Sequence, residues 1–325
     1  MENESSQVGV LRTPDKCFQD LPGYPFVAHY TDVEAEGIPP LRMHYVDEGP
    51  DDGQVVLLLH GQPTWSYLYR KVIPPLRDAG LRVVAPDNIG YGRSDKLTEA
   101  TDYTLKRHVD WLYSFVRALD LHGVVLVVQD WGGPIGLSVL GNDPDRFDRV
   151  VAANTMLHTA DPDLAGKLAW PVHGVGDKHV LVEEALLDYV MFYQRAPDIR
   201  PSFFLNAIAG PLSSEVLAAY DAPFPDRSYK AGLRQMTALA ILTRNDRGAD
   251  ISRTTMTRLE KWQRPFLTAY SDGDEATRGW ETVFQERIPG ARGQDHTTIR
   301  GAGHFLQEQK GEELGRVIAK FVNSP

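Results

Sequence analysis

The chain reads as an α/β protein with a mostly parallel, doubly wound sheet and a helical insertion. Three observations carry this reading. Short, continuously apolar runs recur at residues 54–59 (QVVLLL), 81–87, 124–130 (VVLVVQD), 149–155 and 265–271, and a last short extended segment falls at 295–300. Apolar runs that do not alternate mark strands buried on both faces, as in a parallel sheet between helix layers. Helix-like stretches at 64–79, 103–119 and 134–142 lie between the runs, as βαβ units require. The rhythm then stops between about Leu157 and Asp250.

In chain order, residues 1–22 are an irregular arm containing Pro14 and Pro22. Residues 25–33 and 41–48 are extended segments separated by Gly37, Pro39 and Pro40. The buried strands and their helices follow. The interrupted region has no clear buried strand. It holds amphipathic stretches at 182–194 (VEEALLDYVMFYQ) and 215–220, punctuated by Pro171, Pro197, Pro201, Pro211, Pro223 and Pro225. The expected organisation is a core of residues 1–156 and 251–325, with residues 157–250 as a helical insertion. There is no internal repeat.

Composition narrows the function classes. The 325 residues are 42% hydrophobic and 24% charged, which excludes a disordered chain. A formal charge of −10 repels phosphate backbones and argues against a nucleic-acid binder. The longest apolar runs are far short of the roughly 20 residues that cross a membrane. The polar start, with Glu2, Glu4, Ser5 and Ser6, lacks the basic and apolar regions of a signal peptide. Cys17 is the single cysteine, so neither an internal disulfide nor a cysteine metal site is available. The expectation is a soluble, cytoplasmic monomer.

Ligands of open α/β sheets bind beyond the carboxyl ends of the strands. The polar residues ending the expected strands are His60, Asp87, Asp130, Asp272 or Asp274, and His304. Asp130 is the most informative. It follows a buried run and precedes Trp131-Gly132-Gly133-Pro134, the form of the nucleophile elbow of the α/β-hydrolase fold. The plain alternative is an Asp that caps the next helix. Val128 stands where the usual motif has a small residue. Chain order supports the elbow: nucleophile, acid and histidine follow one another as Asp130, Asp274 and His304. Asp274 is preferred to Asp272 because it lies farther beyond the strand end, leaving Asp272 as a turn residue. Gly61 lets the backbone turn, so the N–H groups of Gln62 and Trp131 form the expected oxyanion hole.

Taken together, residues 60–70 (HGQPTWSYLYR), 129–133 (QDWGG) and 303–308 (GHFLQE) resemble the haloalkane dehalogenases, most closely the members that hold halide with two tryptophans. The resemblance runs from about Pro25 to the C-terminus and includes residues 222–226 (APFPD). It implies the α/β-hydrolase fold with the insertion as a helical cap. It also implies a haloalkane substrate, with water as co-substrate and halide ion as product, and no metal or organic cofactor. Trp131 matches the first halide tryptophan, and Trp170 suits the second. Other members use an Asn beside the first glycine, but here that position is Gln62. An indole N–H only donates, which suits a halide. Phe192, Phe203, Phe204, Leu205, Phe224 and Pro225 are the candidates for an apolar pocket lining, although most such residues only pack cap helices together. His173 and His179 lack a zinc ligand pattern.

Two rivals remain open on sequence. An epoxide hydrolase shares the fold and triad and needs two cap tyrosines, for which Tyr189, Tyr193, Tyr220 and Tyr229 are available. Gln129 and Trp170 speak against it. The other rival is a hydrolase-fold binding protein without turnover, which the intact nucleophile, acid and base disfavour.

Overall fold

The computed structural model describes residues 8–160, 192–241 and 243–324. Its main sheet has eight strands. They are β1 (His29–Ala35), β2 (Ile38–Glu48), β3 (Val55–Leu59), β4 (Arg82–Pro86), β5 (Val124–Asp130), β6 (Phe147–Thr155), β7 (Phe266–Ser271) and β8 (Thr297–Ile299). The spatial order is β8-β7-β6-β5-β3-β4-β2-β1. β3 to β8 pair in parallel, while β2 is antiparallel to both β1 and β4.

The continuous apolar strands are explained by two separate apolar layers. Leu57, Leu59, Leu126 and Val128 face one layer with α2 (Leu105–Ala118) and α3 (Gly132–Asn142). Val56, Leu58, Val125 and Val127 face the other with α1 (Ile73–Asp78) and the C-terminal helix Leu306–Val322. Alternate side chains of one strand point to opposite faces, so a run without polar residues is what a sheet covered on both sides demands.

Three details differ from the sequence reading. Residues 64–79 are not one helix: a 3-10 segment, Ser66–Lys71, precedes α1. Pro74 and Pro75 lack the N–H that a continuing helix needs, but are tolerated in its first turn. Second, β2 runs through Pro39 and Pro40, where the sequence predicts a break between two extended segments. Its pairing with β4 spans only Tyr45–Glu48, so the prolines lie where no ladder hydrogen bond to β4 is required. Third, the N-terminal arm is not wholly irregular: Val10–Leu11 pairs with Lys96–Leu97.

Between β6 and β7 the described residues form no strand. They form α4 (Pro201–Ile208), α5 (Ser214–Asp221), α6 (Ala231–Ala238) and α7 (Ala249–Leu259). α7 already packs on α3, with a Ser138–Thr255 hydroxyl contact of 2.9 Å. α8 (Trp280–Arg287) follows β7, and Leu306–Val322 is α9. Among the described residues no helix is long and apolar enough to cross a membrane.

Candidate active site

The site is built where β3, β5, β6 and β7 end. Asp130 closes β5 with φ +48°, a left-handed conformation that costs a non-glycine residue energy. Neighbours hold it there. The Thr155 hydroxyl donates to the Asp130 carbonyl at 2.6 Å, and the Gln62 N–H donates to Oδ1 at 2.6 Å. Gly61 is required by this approach. A Cβ there would meet Asp130 Cβ at 2.5 Å and Trp131 N at 2.6 Å. The loop after β3 therefore brings its N–H groups onto the elbow only because residue 61 has no side chain.

His304 sits 7% exposed in the loop after β8. Its Nδ1 is 3.1 Å from Asp274 Oδ1 and its Nε2 is 3.4 Å from Asp130 Oδ2. Asp274 is itself oriented: the Ala276 N–H donates to Oδ1 at 2.9 Å and the Thr277 hydroxyl donates to Oδ2. Asp272 accepts from the Gly301 N–H at 2.8 Å and so closes the turn that leads to the histidine loop.

Electrostatics follow from this geometry. Burial alone would lower the His304 pKa. The Asp274 carboxylate, together with the contact to Asp130, outweighs it and raises the pKa from 6.5 to about 10. Burial would raise the Asp274 carboxyl, but His304 and the donors from Thr277 and Ala276 bring it below its ordinary value. The surroundings of His304 thus favour its protonated form.

Two further side chains contribute: Asn154, which no sequence motif marked, and Gln129, which the sequence marked only as the residue before the elbow. Asn154, at the end of β6, donates through Nδ2 to the carbonyls of Gly303 and His304, both at 3.0 Å, and accepts from the Ser271 N–H at 2.8 Å. It anchors the histidine loop to β7. Its only sequence signal is a polar residue near the end of an apolar strand. Gln129 places its carboxamide 3.2 Å from His304 Nε2. A carboxamide offers NH2 to a neutral imidazole or oxygen to a protonated one. Gln129 directly precedes the elbow, and that adjacency was its available signal.

The remaining residues divide as follows. Trp131 is 6% exposed at the start of α3, and among the described residues no protein acceptor takes its indole N–H. Trp65, by contrast, donates to the Ala219 carbonyl at 3.1 Å. Trp170, Tyr189, His173 and His179 lie outside the described residues. Phe204 and Phe224 are buried, and so is Leu205. Phe192 and Phe203 stack on each other at 6.0 Å but are largely exposed, and Pro225 is also exposed. Pro223, not Pro225, is the buried proline of that segment, where its carbonyl accepts from the Thr13 hydroxyl. His60 is structural: Nε2 accepts from the Asn88 N–H at 2.9 Å while Nδ1 lies 2.9 Å from the Gly61 carbonyl.

The Tyr220 hydroxyl donates to Glu308, which also holds Arg70 through Nη2 at 2.7 Å and the Lys71 ammonium at 3.3 Å. This buried network joins α5 to α9 and commits the Tyr220 hydroxyl away from the elbow. A cavity of about 260 Å³ flanks Asp274, but it is lined by polar and charged groups such as Thr268, Arg278, Glu281 and His296. It includes neither Asp130 nor Trp131. Among the described residues no group of three His, Cys, Asp or Glu side chains is arranged to hold a metal ion.

A carboxylate at a strand-to-helix elbow, a histidine–aspartate pair behind it and backbone donors in front define an α/β hydrolase. In accord with this, residues 54–182 match the family described as the alpha/beta hydrolase fold. Within that class the chain belongs to the haloalkane dehalogenases. It is 45% identical over 315 residues to a haloalkane dehalogenase of Psychrobacter cryohalolentis, covering 97% of this chain and 98% of that one. It is 43% identical to one of Mycolicibacterium paratuberculosis, covering 96% and 98%. A solved relative, the haloalkane dehalogenase DpaA from Paraglaciecola agarilytica NO2, described as tetrameric, superimposes with a TM-score of 0.82 at 33% identity, covering 97% of this chain and all of that one.

Proposed function

We propose that this chain hydrolyses carbon–halogen bonds of haloalkanes to an alcohol and a halide ion through an ester on Asp130. A free Asp130 oxygen attacks the substrate carbon, and the carbon–halogen bond breaks with its electron pair leaving on the halide. The Trp131 indole receives the halide, with Trp170 as its partner. Esterification removes the negative charge of Asp130. One of the two carboxylates that keep His304 protonated is then gone, and the ring can lose its proton and act as base. His304 takes a proton from water, which attacks the ester carbonyl. Asp274 stabilises the imidazolium, and the N–H groups of Gln62 and Trp131 hold the oxyanion. Alcohol, halide and a proton are the products, with no cofactor.

The observation that carries this reading is the arrangement of Asp130 itself: Oδ1 on the Gln62 N–H at 2.6 Å, Oδ2 at 3.4 Å from His304 Nε2. We read residues 157–250 as a cap over this edge, with residues 1–156 and 251–325 as the core. Phe204 and Phe224 are the better-buried candidates for its apolar lining, with Phe192, Phe203 and Pro225 nearer the surface. The same reading takes the protein as a cytoplasmic monomer, to be checked by light scattering. Turnover of 1,2-dibromoethane in 18O-labelled water tests the chemistry. The Asp130 peptide gains labelled oxygen over repeated turnovers, and bromide is released. An unlabelled peptide after many turnovers removes the ester from the scheme. Diol formation from styrene oxide without bromide release would instead favour an epoxide hydrolase, against which the committed Tyr220 hydroxyl already weighs.

A further inference from the structure

The mechanism uses only the backbone N–H of Gln62, yet its side chain is buried and fully engaged. Gln62 Nε2 donates to the Leu233 carbonyl of α6 at 2.9 Å, and Gln62 Oε1 accepts from the Tyr91 hydroxyl at 2.5 Å. The same hydroxyl lies 3.3 Å from the Gly232 carbonyl. Tyr91 is fully buried, in edge contact with His60 at 5.5 Å and Phe224 at 6.4 Å. The approach of α6 is close because residue 232 is glycine: a Cβ there would lie 3.2 Å from Gly90 Cα. A carboxamide is needed at position 62, since a carboxylate cannot donate to Leu233 and an aliphatic group would strand both partners.

We propose that Tyr91 and the Gln62 carboxamide are positioning residues that couple the seating of α6 to the oxyanion donor. The inference rests on the alkyl-ester reading above. The Gln62 N–H that faces Asp130 and the amide that grips α6 belong to one residue, and Tyr91 fixes the amide's orientation. Movement of α6 relative to the loop after β3 therefore moves an oxyanion donor.

The two half-reactions respond differently to a loosened donor. In the displacement, the N–H stabilises the ionised Asp130 carboxylate of the starting state, and that charge then moves toward the halide. Loosening it does not slow this step. In hydrolysis the ester oxygen gains charge and needs the donor in place. Tyr91→Phe is thus expected to lower the rate of ester hydrolysis about tenfold, the size of one well-aligned hydrogen bond, and to change ester formation less than about twofold. Rapid-quench mass spectrometry with 1,2-dibromoethane reads this as a rise in alkylated Asp130 at steady state.

Gln62→Met keeps the backbone N–H and removes both side-chain bonds, so it should shift the partition in the same way. The double variant should be no worse than Gln62→Met alone, because both changes break one linkage. Tyr103→Phe serves as a packing control: among the described residues its hydroxyl hydrogen-bonds only with the Leu97 backbone, and its ring lies 3.2 Å from where a Gly232 Cβ would stand. Equal loss in both half-reactions, or a lowered Tm with the partition of Tyr103→Phe, overturns the proposal. Absence of alkylated Asp130 in every variant, His304→Phe included, while bromide is still released overturns the ester reading as well.

Discussion

Among the described residues two buried His–Asp pairs stand out, and their surroundings differ. At the end of β4, Asp87 accepts from His44 Nδ1 at 2.7 Å, from the Ser66 N–H at 2.8 Å and from the Arg93 N–H at 2.8 Å. Beyond β7, Asp274 faces His304 Nδ1 at 3.1 Å in a similar way. The pairs differ at the far nitrogen of the ring. His44 Nε2 is sealed in the protein and has no hydrogen-bond partner among the described residues. His304 Nε2 faces Asp130. The first pair closes turns, since one carboxylate satisfies three segments of chain at once. The second leaves an imidazole nitrogen where a proton can be exchanged. The residue types are the same in both pairs, and the second nitrogen's surroundings separate a structural brace from the base of the proposed mechanism.

That contrast can be broken experimentally, beginning with the largest effect. On the proposed mechanism, His304→Phe removes the base but leaves the nucleophile. Ester hydrolysis should fall by about 10²–10⁴-fold while the displacement continues, so that alkylated Asp130 accumulates and is seen as a mass increase on its peptide. If the variant turns over many times at the wild-type rate, the distinction between the two pairs collapses.

Asp87→Asn is the mirror experiment. Burial would raise this carboxyl, yet His44, His60 and the Ser66 N–H hold it below the usual carboxylate range. Breaking a buried, multiply bonded charge costs about 3–5 kcal/mol. Urea denaturation should register a loss of that order. The ratio of ester formation to hydrolysis, measured well below the new midpoint, should stay near wild type. A selective loss of hydrolysis would make Asp87 part of the chemistry.

Tyr220→Phe sharpens the comparison from a third buried carboxylate, Glu308. Arg70 remains bound to Glu308, so the expected loss is about 1–3 kcal/mol for one missing donor, again by urea denaturation. No change at all would mean that the link between α5 and α9 contributes nothing.

The mildest test is pH. His304 binds its proton more tightly when folded, with a pKa of about 10 against an ordinary 6.5. Its contribution to stability is complete below about pH 6.5 and is lost as pH climbs through 10. Unfolding free energies at pH 6, 8 and 10 should fall along this series in the wild type and fall less in His304→Phe. Parallel pH slopes for the two proteins would mean that His304 carries no raised pKa.

Much of the scaffold was legible before any coordinates. Runs such as VVLLL and VVLVV, bounded by turn residues and alternating with helix-like stretches, indicate strands covered on both sides, because one exposed face would have required alternating polar residues. The helix after β5 and the elbow before it were equally plain from Gln129-Asp130-Trp131-Gly132-Gly133. Less legible were segments whose local signals conflict. Pro39 and Pro40 look like a break, yet β2 passes through them because β4 does not pair with it there. Pro74 and Pro75 look like part of a long helix, yet they begin a short one.

The amino-acid sequence by itself determined which chemistry was available: a carboxylate at a turn, an imidazole after the last strand, and donor-only indoles. These follow from residue type and chain order, and both are local. Chain order already favoured His304 and Asp274, but only the tertiary structure showed what each candidate faces: Asp274 on His304 Nδ1, Asp87 on His44 Nδ1, and Asp272 on the Gly301 N–H. His44 lies inside β2 while the others follow strands or border turns, and what distinguishes them is the group that chain folding sets against the second nitrogen or oxygen. Asn154 and Tyr91 escaped notice for the same reason. Their partners, the Gly303 and His304 carbonyls and the Gln62 amide, are distant in sequence, and hydrogen bonding across a fold leaves no periodic trace along the chain.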